Sequence, residues 1–202
     1  MGLREIKKQL TRESIAEAAL QLALDHGLEQ VTIEEIARVV FISPRTVSNY
    51  FSCKEEAIVA AGLQDSQRLL EDFAERPAGE PSLQSLCELL VGIARARSPE
   101  QQQLALRKIE LAQRYPVLLP FEALQYAQLE EGLREAIARR EGSDLNSDVS
   151  AWLTAAAAVT AIRYSVAIWV ARGGEPDDMA VSLQTAFDQI RDQMSATEPV
   201  HR

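Results

Sequence analysis

The stretch VTIEEIARVVFISPRTVSNYF, residues 31–51, decides the fold of this chain, because it predicts two short helices joined by a tight turn. Thr32 can cap the first helix while Glu35, three residues later, reaches back to the cap in a capping box. Ser43 followed by Pro44 predicts the start of the second helix, since serine is a favoured cap and proline suits the first helical position. Apolar residues at helical spacing predict that the first helix packs inward: Ile33, Ile36, Ala37 and Val40.

The second helix divides its residues between an inward and an outward face. Val47, Tyr50 and Phe51 can pack back onto the first helix. The outward side chains are donors and acceptors long enough to reach phosphates or base edges: Arg45, Thr46, Ser48 and Asn49. This division is what a probe for the DNA major groove requires. The alternative is a surface hairpin whose polar face meets only water.

The same residues resemble the N-terminal DNA-binding segment of TetR-family transcriptional regulators. The family pattern is Thr-apolar-x-x-Ile-Ala, a turn ending in apolar-Ser, then Thr and a closing Tyr-Phe followed shortly by Lys. In this chain the pattern is carried by Thr32, Ile33, Ile36, Ala37, Ile42, Ser43, Thr46, Tyr50, Phe51 and Lys54. The resemblance covers residues 10–58 and implies a transcriptional regulator with a three-helix, helix-turn-helix DNA-binding domain.

Two positions depart from the family pattern. Val40 and Phe41 stand where the family usually has Ala-Gly, so we expect a wider turn or a conformation that does not require glycine. Ser48 stands where the family often has tyrosine. The smaller hydroxyl is expected to change which phosphate or thymine methyl is touched.

The flanking residues extend the same scheme. Residues 12–26 predict a helix that ends at Gly27, a common left-handed stop. Before this helix, a basic arm can follow the DNA backbone or enter a minor groove, or can be a solvated end. Ser52 and Glu55 repeat the capping-box spacing, so a further helix is expected to open there, with Lys54 contacting a phosphate. The predicted DNA contacts are Lys7, Lys8, Arg12, Thr32, Ser43, Pro44, Arg45, Thr46, Ser48, Asn49, Tyr50 and Lys54.

The distribution of charge agrees with DNA binding although the net charge is -9. Residues 1–54 contain seven Lys or Arg and seven Asp or Glu, a net charge of 7 − 7 = 0. Residues 55–202 contain fourteen against twenty-three, a net charge of 14 − 23 = -9. The acidity therefore belongs to the second part, and the affinity for DNA is expected to fall steeply with salt.

Composition and helical spacing predict an all-α protein. The chain has 202 residues, 47% of them hydrophobic, and its breaks predict helices at 53–75, 82–96, 100–114, 118–140, 147–172 and 177–194. We expect a DNA-binding domain at 1–54, a helical ligand-binding and dimerisation bundle at 55–194, and a disordered tail at 195–202. A secretory signal and a run of about eighteen apolar residues are both missing, so a cytoplasmic location away from membranes is expected.

The sequence offers little for catalysis. It contains neither a Gly-rich phosphate loop nor the GxSxG and HExxH motifs. Cys53 and Cys87 are too far apart for a CxxC pair, and only His26 and His201 accompany them, so a metal site is not expected. We therefore expect neither an enzyme nor a cofactor.

The C-terminal part resembles a TetR subgroup described as having an acyl-CoA-like ligand-binding domain. The resemblance lies in LALRKIELAQRYP at 104–116 and in the segment 152–174, which ends in IWVARGG. It implies a dimer with a cavity for a fatty acyl thioester or a similar elongated apolar ligand in each subunit. The effector that the resemblance implies is an acyl-CoA or another elongated apolar ligand.

Arg163 is the residue on which the predicted ligand site depends. It follows Trp152, Ala156 and Val159 at steps of three and four, and a cation on an apolar stripe requires a partner. The partner is either a carboxylate such as Glu110, or solvent at the edge of the stripe, or the polar end of a ligand. The predicted ligand-binding residues are Leu104, Arg107, Leu111, Leu124, Leu133, Trp152, Arg163 and Tyr164.

Small residues at 155–161 and the apolar residues of the last helix predict a four-helix interface between two copies, with intrachain core as the competing use. The predicted dimer residues are Ala155, Ala158, Ala161, Leu183, Phe187 and Ile190. Two recognition helices would read a pseudo-palindromic operator with half-sites about 34 Å or a multiple apart. The predicted function is a repressor that a ligand releases from double-stranded DNA. The alternative is an activator or architectural DNA-binding protein without small-molecule input.

Overall fold

The computed structural model describes residues 2–145, 149–175 and 178–195, and the regular elements in these ranges are all helical. The predicted all-α class is confirmed. The helices are α1 (Leu3–His26), α2 (Ile33–Val39), α3 (Pro44–Tyr50), α4 (Lys54–Ala60), α5 (Leu63–Glu75), α6 (Ser82–Ala96), α7 (Pro99–Arg114), α8 (Leu119–Glu141), α9 (Val149–Ala171) and α10 (Asp178–Ser195). Two short 3-10 turns, Leu28–Gln30 and Pro116–Leu118, precede α2 and α8.

The chain forms two compact units. The first unit comprises Met1–Asp65 and Arg107–Gln125, and the second comprises Ser66–Leu106 and Tyr126–Arg202. The predicted boundary after residue 54 treated the domains as contiguous in sequence. The structure instead groups the end of α7 and the start of α8 with the N-terminal helices, and α5, α7 and α8 contribute residues to both units.

Helix bounds follow the predictions except at two places. The bounds of α6 to α10 lie within two residues of those predicted. The single helix expected at 53–75 is wrong, because Gly62 adopts a φ of 92° and separates α4 from α5. The predicted start of α1 at residue 12 is also wrong: the helix begins at Leu3, so the basic residues expected in an arm before it belong to the helix. The predicted tail beyond α10 lies outside the described residues.

The first unit has a core in which α1 packs against α4 and α2. Small residues of α1 allow this close approach, and Phe51 and Leu118 close the core. The fully buried large side chains of this unit are Ile15, Val31, Ile36, Phe51, Ile58 and Leu118. Helices α2 and α3 are only seven residues long, so packing and caps must hold them.

The second unit is a helical bundle in which α10 packs on α9 and α6. Its largest fully buried side chains are Phe73, Leu86, Leu133, Ile137, Trp169 and Phe187. The Trp169 indole Nε1 donates to the carbonyl oxygen of Glu175 at 2.7 Å, which satisfies its polar atom. Helix α9 is long and apolar enough to span a membrane by length and composition, but its inner face packs in this core, where Ala151, Ala155 and Ala158 are fully buried.

Candidate nucleic-acid interface

The capping box of α2 is confirmed. The Thr32 hydroxyl accepts a hydrogen bond from the backbone N–H of Glu35 at 3.2 Å, and the Glu35 carboxylate accepts one from the backbone N–H of Thr32 at 3.1 Å. Ile36 and Ala37 are buried as predicted. The Thr32 hydroxyl therefore has a structural partner, and its contact with DNA stays a prediction.

The turn between α2 and α3 has the geometry of a Schellman motif. The N–H of Ile42 donates to the carbonyl of Ala37 at 3.0 Å, and the N–H of Phe41 donates to the carbonyl of Arg38 at 3.4 Å. Phe41 has a φ of 57°, which is the left-handed conformation. The expectation of a turn that does not require glycine's conformation is wrong: Phe41 adopts the conformation that glycine usually supplies.

Helix α3 presents a polar outer face and buries its inner one. Ser43 Oγ accepts a hydrogen bond from the N–H of Thr46 at 3.1 Å, and Pro44 occupies the first turn, so both parts of the predicted start are confirmed. Val47 is fully buried. Four side chains extend into solvent along the opposite face: Pro44, Arg45, Ser48 and Asn49. Thr46 is half-buried, and its hydroxyl lies 2.7 Å from that of Ser43.

Arg12 holds the other end of α3. Its Nη1 donates to the carbonyl oxygen of Tyr50 at 2.9 Å, and the guanidinium lies 4.3 Å from the centroid of the Phe51 ring. Glu56 Oε1 lies 3.9 Å from Nη2 of the same group. A carbonyl at a helix C-terminus lacks an intrahelical partner, so Arg12 satisfies one that the helix leaves open. Arg12 thus has a positioning role that the sequence did not indicate.

Lys54 has a similar internal role. Its Nζ donates to the carbonyl oxygens of Leu28 and Val31 at 2.8 and 2.9 Å, joining α4 to the 3-10 turn before α2. Its contact with phosphate stays a prediction. The cap of α4 lies one residue later than expected: Cys53 Sγ accepts from the N–H of Glu56, whose carboxylate accepts from the N–H of Ser52 at 2.7 Å.

The exposed basic residues before the helix-turn-helix lie along the N-terminal half of α1. Arg4, Lys7 and Lys8 are all exposed and belong to regular helix. A helix cannot enter the minor groove as an extended arm would, because its diameter with side chains is about 10–12 Å. Their contact with DNA would therefore be made to the backbone.

Lys108 and Gln125 are two polar residues of the first unit that sequence reasoning missed. Lys108 Nζ donates to the carbonyl oxygens of Val59, at 3.3 Å, and Ala61, and Gln125 Nε2 donates to the carbonyl of Val59 at 2.6 Å. These contacts cap the C-terminal end of α4. Burial lowers the pKa of the Lys108 ammonium, an effect that Glu122 and Asp65 oppose. The signal was available, since Lys108 follows Leu104 by four residues and precedes Leu111 by three on an apolar stripe.

The predicted ligand-binding residues are not brought together within either unit. Arg107, Leu111 and Leu124 belong to the first unit and the other five to the second. Leu111 is buried in the first unit's core, and Arg107 Nη2 donates to the carbonyl of Leu24 at 3.0 Å.

Within the second unit, Arg163 is exposed and its guanidinium lies 5.4 Å from the centroid of the Tyr126 ring. Arg163 therefore lies at the exposed edge of the stripe, one of the alternatives that the sequence leaves open, and its contact with a ligand stays a prediction. Trp152 is 48% exposed, with the Arg134 guanidinium 4.3 Å from its ring centroid. Leu133 is fully buried, whereas Leu104 and Tyr164 are exposed.

Most of the predicted dimer residues lie in the core of the second unit. Five of the six are buried where α9 and α10 pack: Ala155, Ala158, Ala161, Leu183 and Phe187. The competing use as intrachain core therefore applies to them. Residues of α9 and α10 also line a groove of about 600 Å³, and Ala161 and Ile190 are among them.

Comparison with known proteins agrees with this architecture. The family model for bacterial regulatory proteins of the tetR family matches residues 15–61, and the model described as the MftR C-terminal domain matches residues 80–195. The HTH-type transcriptional regulator TcmR of Streptomyces glaucescens is 30% identical over 201 residues, which cover 96% of this chain and 89% of TcmR. The putative mycofactocin biosynthesis transcriptional regulator MftR of Mycobacterium tuberculosis is 24% identical, with 91% of each chain covered.

Solved structures show the same fold. The FadR repressor of Thermus thermophilus, determined in complex with lauroyl-CoA, superposes with a TM-score of 0.57 at 22% identity, covering 95% of this chain and 98% of that one. A TetR transcriptional regulator from Rhodococcus superposes with a TM-score of 0.58 at 19% identity, covering 93% and 98%.

The chain belongs to the TetR family of transcriptional regulators, which bind DNA operators through an N-terminal helix-turn-helix and carry a C-terminal ligand-binding domain. Its members are regulators of transcription and not enzymes.

Proposed function

We propose that this protein is a dimeric repressor whose α3 helices read a pseudo-palindromic operator and which an apolar small molecule releases from DNA. The observation that carries the proposal is the outer face of α3. Arg45, Ser48 and Asn49 are exposed there, while Ser43 caps one end of the helix and Arg12 holds the other. Side chains on a helix held at both ends can make specific base contacts with little further ordering.

Fluorescence anisotropy with DNA from just upstream of the protein's own coding region tests this reading. Arg45→Ala and Asn49→Ala are each expected to weaken binding about 5- to 150-fold, since one base contact contributes about 1–3 kcal/mol. Arg95→Ala is the matched control, because Arg95 is an exposed arginine of α6 and its removal changes the net charge equally. Equal affinities for the Arg45 and Arg95 variants would contradict the proposal.

The proposed dimer interface is the outer face of α9 and α10. Leu153, Ala157, Thr160, Tyr164 and Ile168 recur every three or four residues along the groove. Tyr164 is 65% exposed and Leu153 57%, although α9 already buries its inner face. A helix that is apolar on both sides is usually covered on both sides.

A second copy also suits the short recognition helix, because a two-fold pair doubles the DNA contact.

Sedimentation equilibrium tests the interface. Ile168→Glu is expected to yield monomers, because it places a charge in the middle of an apolar contact. Val117→Glu is the control, since Val117 is an exposed apolar residue of the first unit. A wild-type monomer, or an Ile168→Glu variant that dimerises like the wild type, would refute this interface.

The effector is proposed to be an elongated apolar molecule of the acyl type that binds the second unit. The proposal rests on family membership and on the lauroyl-CoA that the Thermus FadR binds. The effector must bind the DNA-incompetent arrangement more tightly, so effector and operator should weaken each other's binding by the same factor. A thermal-shift series with acyl-CoAs of increasing chain length tests it. If none of the acyl-CoAs raises the melting temperature, the result would favour a DNA-binding activator or architectural protein without small-molecule input.

A further inference from the structure

Phe41, in the turn of the helix-turn-helix, has a backbone conformation that is unfavourable for its residue type. It occupies the position of a Schellman motif at which the backbone is left-handed, and its φ is 57°. A side chain at this position brings Cβ close to the following carbonyl oxygen, so glycine or asparagine is ordinarily found there. Phenylalanine makes the turn less stable than glycine would.

The Phe41 side chain gains nothing within the described structure that would offset this strain. The ring is 95% exposed, the highest value among the large hydrophobic residues of the described ranges. The neighbouring apolar residues of the turn, Val40 and Ile42, are half-buried and pack against the core of the first unit. A residue that is both strained and exposed contributes more to an intermolecular contact than to folding.

The residues around Phe41 favour DNA as the molecule that its ring contacts. Phe41 lies two residues before the Ser43 cap of α3, and the exposed surface continues through Ser43 and Pro44 to Arg45. The N-terminal residues of a recognition helix are the ones that approach base edges. Thymine methyl groups in the major groove and deoxyribose carbons beside it are the apolar groups that such a ring can cover.

We propose that Phe41 is a DNA-contacting residue that packs its ring against an apolar group of the operator, a thymine methyl or a deoxyribose. The inference rests on the proposed docking of α3 on DNA. The Phe41 ring would then contribute to operator affinity and sequence preference through an apolar contact, in addition to the hydrogen bonds of Arg45, Ser48 and Asn49.

Phe41→Gly distinguishes an effect on folding from an effect on DNA binding, because it should not lower the melting temperature but should lower the operator affinity. Glycine suits the left-handed turn, so the melting temperature is expected to stay the same or to rise. Operator affinity is expected to fall about tenfold, since half-burying an aromatic ring in each subunit stabilises the complex by about that factor. Phe41→Asn should give the same pair of results, because asparagine tolerates the left-handed conformation without supplying the apolar ring. Val117→Ala, which shortens an exposed apolar side chain elsewhere in the first unit, should change neither quantity.

Replacing operator thymines one at a time with uracil distinguishes the two DNA groups. If the wild type loses affinity at one position where Phe41→Gly does not, the ring contacts that methyl group. If no uracil substitution distinguishes wild type from variant while Phe41→Gly still binds more weakly, the ring contacts deoxyribose.

Unchanged operator affinity in both Phe41 variants overturns the inference, including when sedimentation shows that they alter self-association instead. If the Arg45 and Asn49 variants still bind weakly in that case, only the role of Phe41 is lost. If all four variants bind like the wild type, the proposed docking of α3 fails as well.

Discussion

The Arg12 guanidinium donates to the carbonyl oxygen of Tyr50 at 2.9 Å and so ties the middle of α1 to the end of α3. The two residues are 38 positions apart in the chain. This bond joins α1 to the C-terminal end of α3 and so helps to hold α3 in its direction. A basic residue in a DNA-binding domain can therefore act on DNA affinity through geometry as well as through charge.

Replacing Arg12 with Met should weaken operator binding without changing its dependence on salt. The substitution removes the Tyr50 hydrogen bond and the contact with the Phe51 ring, so the unfolding free energy should fall by about 1–3 kcal/mol. A lost phosphate contact would instead reduce the slope of log affinity against log salt by about one. Anisotropy titrations over a salt series measure that slope, with Lys7→Met as the charge-matched comparison. A reduced slope for Arg12→Met would show that Arg12 contacts phosphate.

Lys54→Met should destabilise the first unit. The ammonium bridges the carbonyl oxygens of Leu28 and Val31, and hydrogen bonds to charged groups contribute about 1.5–3 kcal/mol. Because the group is only half-buried, we expect a loss of about 1–2 kcal/mol in urea denaturation. Lys54→Arg should recover little of it, since a planar guanidinium does not fit a site shaped for a compact ammonium. Wild-type stability in Lys54→Met would mean that the bridge contributes nothing to folding.

The capping box of α2 should behave as one unit. Thr32→Ala and Glu35→Ala are each expected to cost about 1 kcal/mol of unfolding free energy. The double variant should cost less than the sum, because each side chain serves the other's backbone N–H. Chemical denaturation of the four proteins gives the coupling free energy. Strict additivity would show that the two hydrogen bonds act independently.

Lys108 should make stability depend on pH in the alkaline range. Burial lowers its pKa in the folded protein, so between that lowered value and 10.5 the unfolded chain binds more protons. The unfolding free energy contributed by this group therefore rises with pH across the window and is constant above it. Lys108→Met should abolish this contribution, so the stability difference between wild type and variant should vary with pH there. Parallel stability curves for the two proteins would contradict the lowered pKa.

The sequence was sufficient for the helix-turn-helix because its signals are local. Thr32 with Glu35 and Ser43 with Pro44 specify helix starts within four residues, and the structure has both starts where the sequence predicts them. The bounds of α6 to α10 follow from breaks that proline, glycine and polar residues mark in the chain. Such features depend on backbone geometry and short-range hydrogen bonds, which neighbouring residues determine.

The predicted ligand and dimer residues were harder to place, because spacing along one helix does not show which of its faces packs against another helix. Ala155 and Ala158 suit an interface between copies as well as they suit a core, and only the packing of α10 on α9 decided for the core. Arg163 and Lys108 both follow apolar residues at helical spacing. The first is exposed, and the second donates to carbonyls at the end of α4.

The sequence by itself determined the helical class, the family and the position of the helix-turn-helix, since periodicity, caps and a local motif carry that information within a few residues. The tertiary structure decided that Arg12 and Lys54 hold the helices of that segment, that residues 107–125 join the first unit, and that Phe41 stands exposed in a left-handed turn. These features depend on which distant backbone groups lie beside a side chain. Only the packed chain determines that proximity.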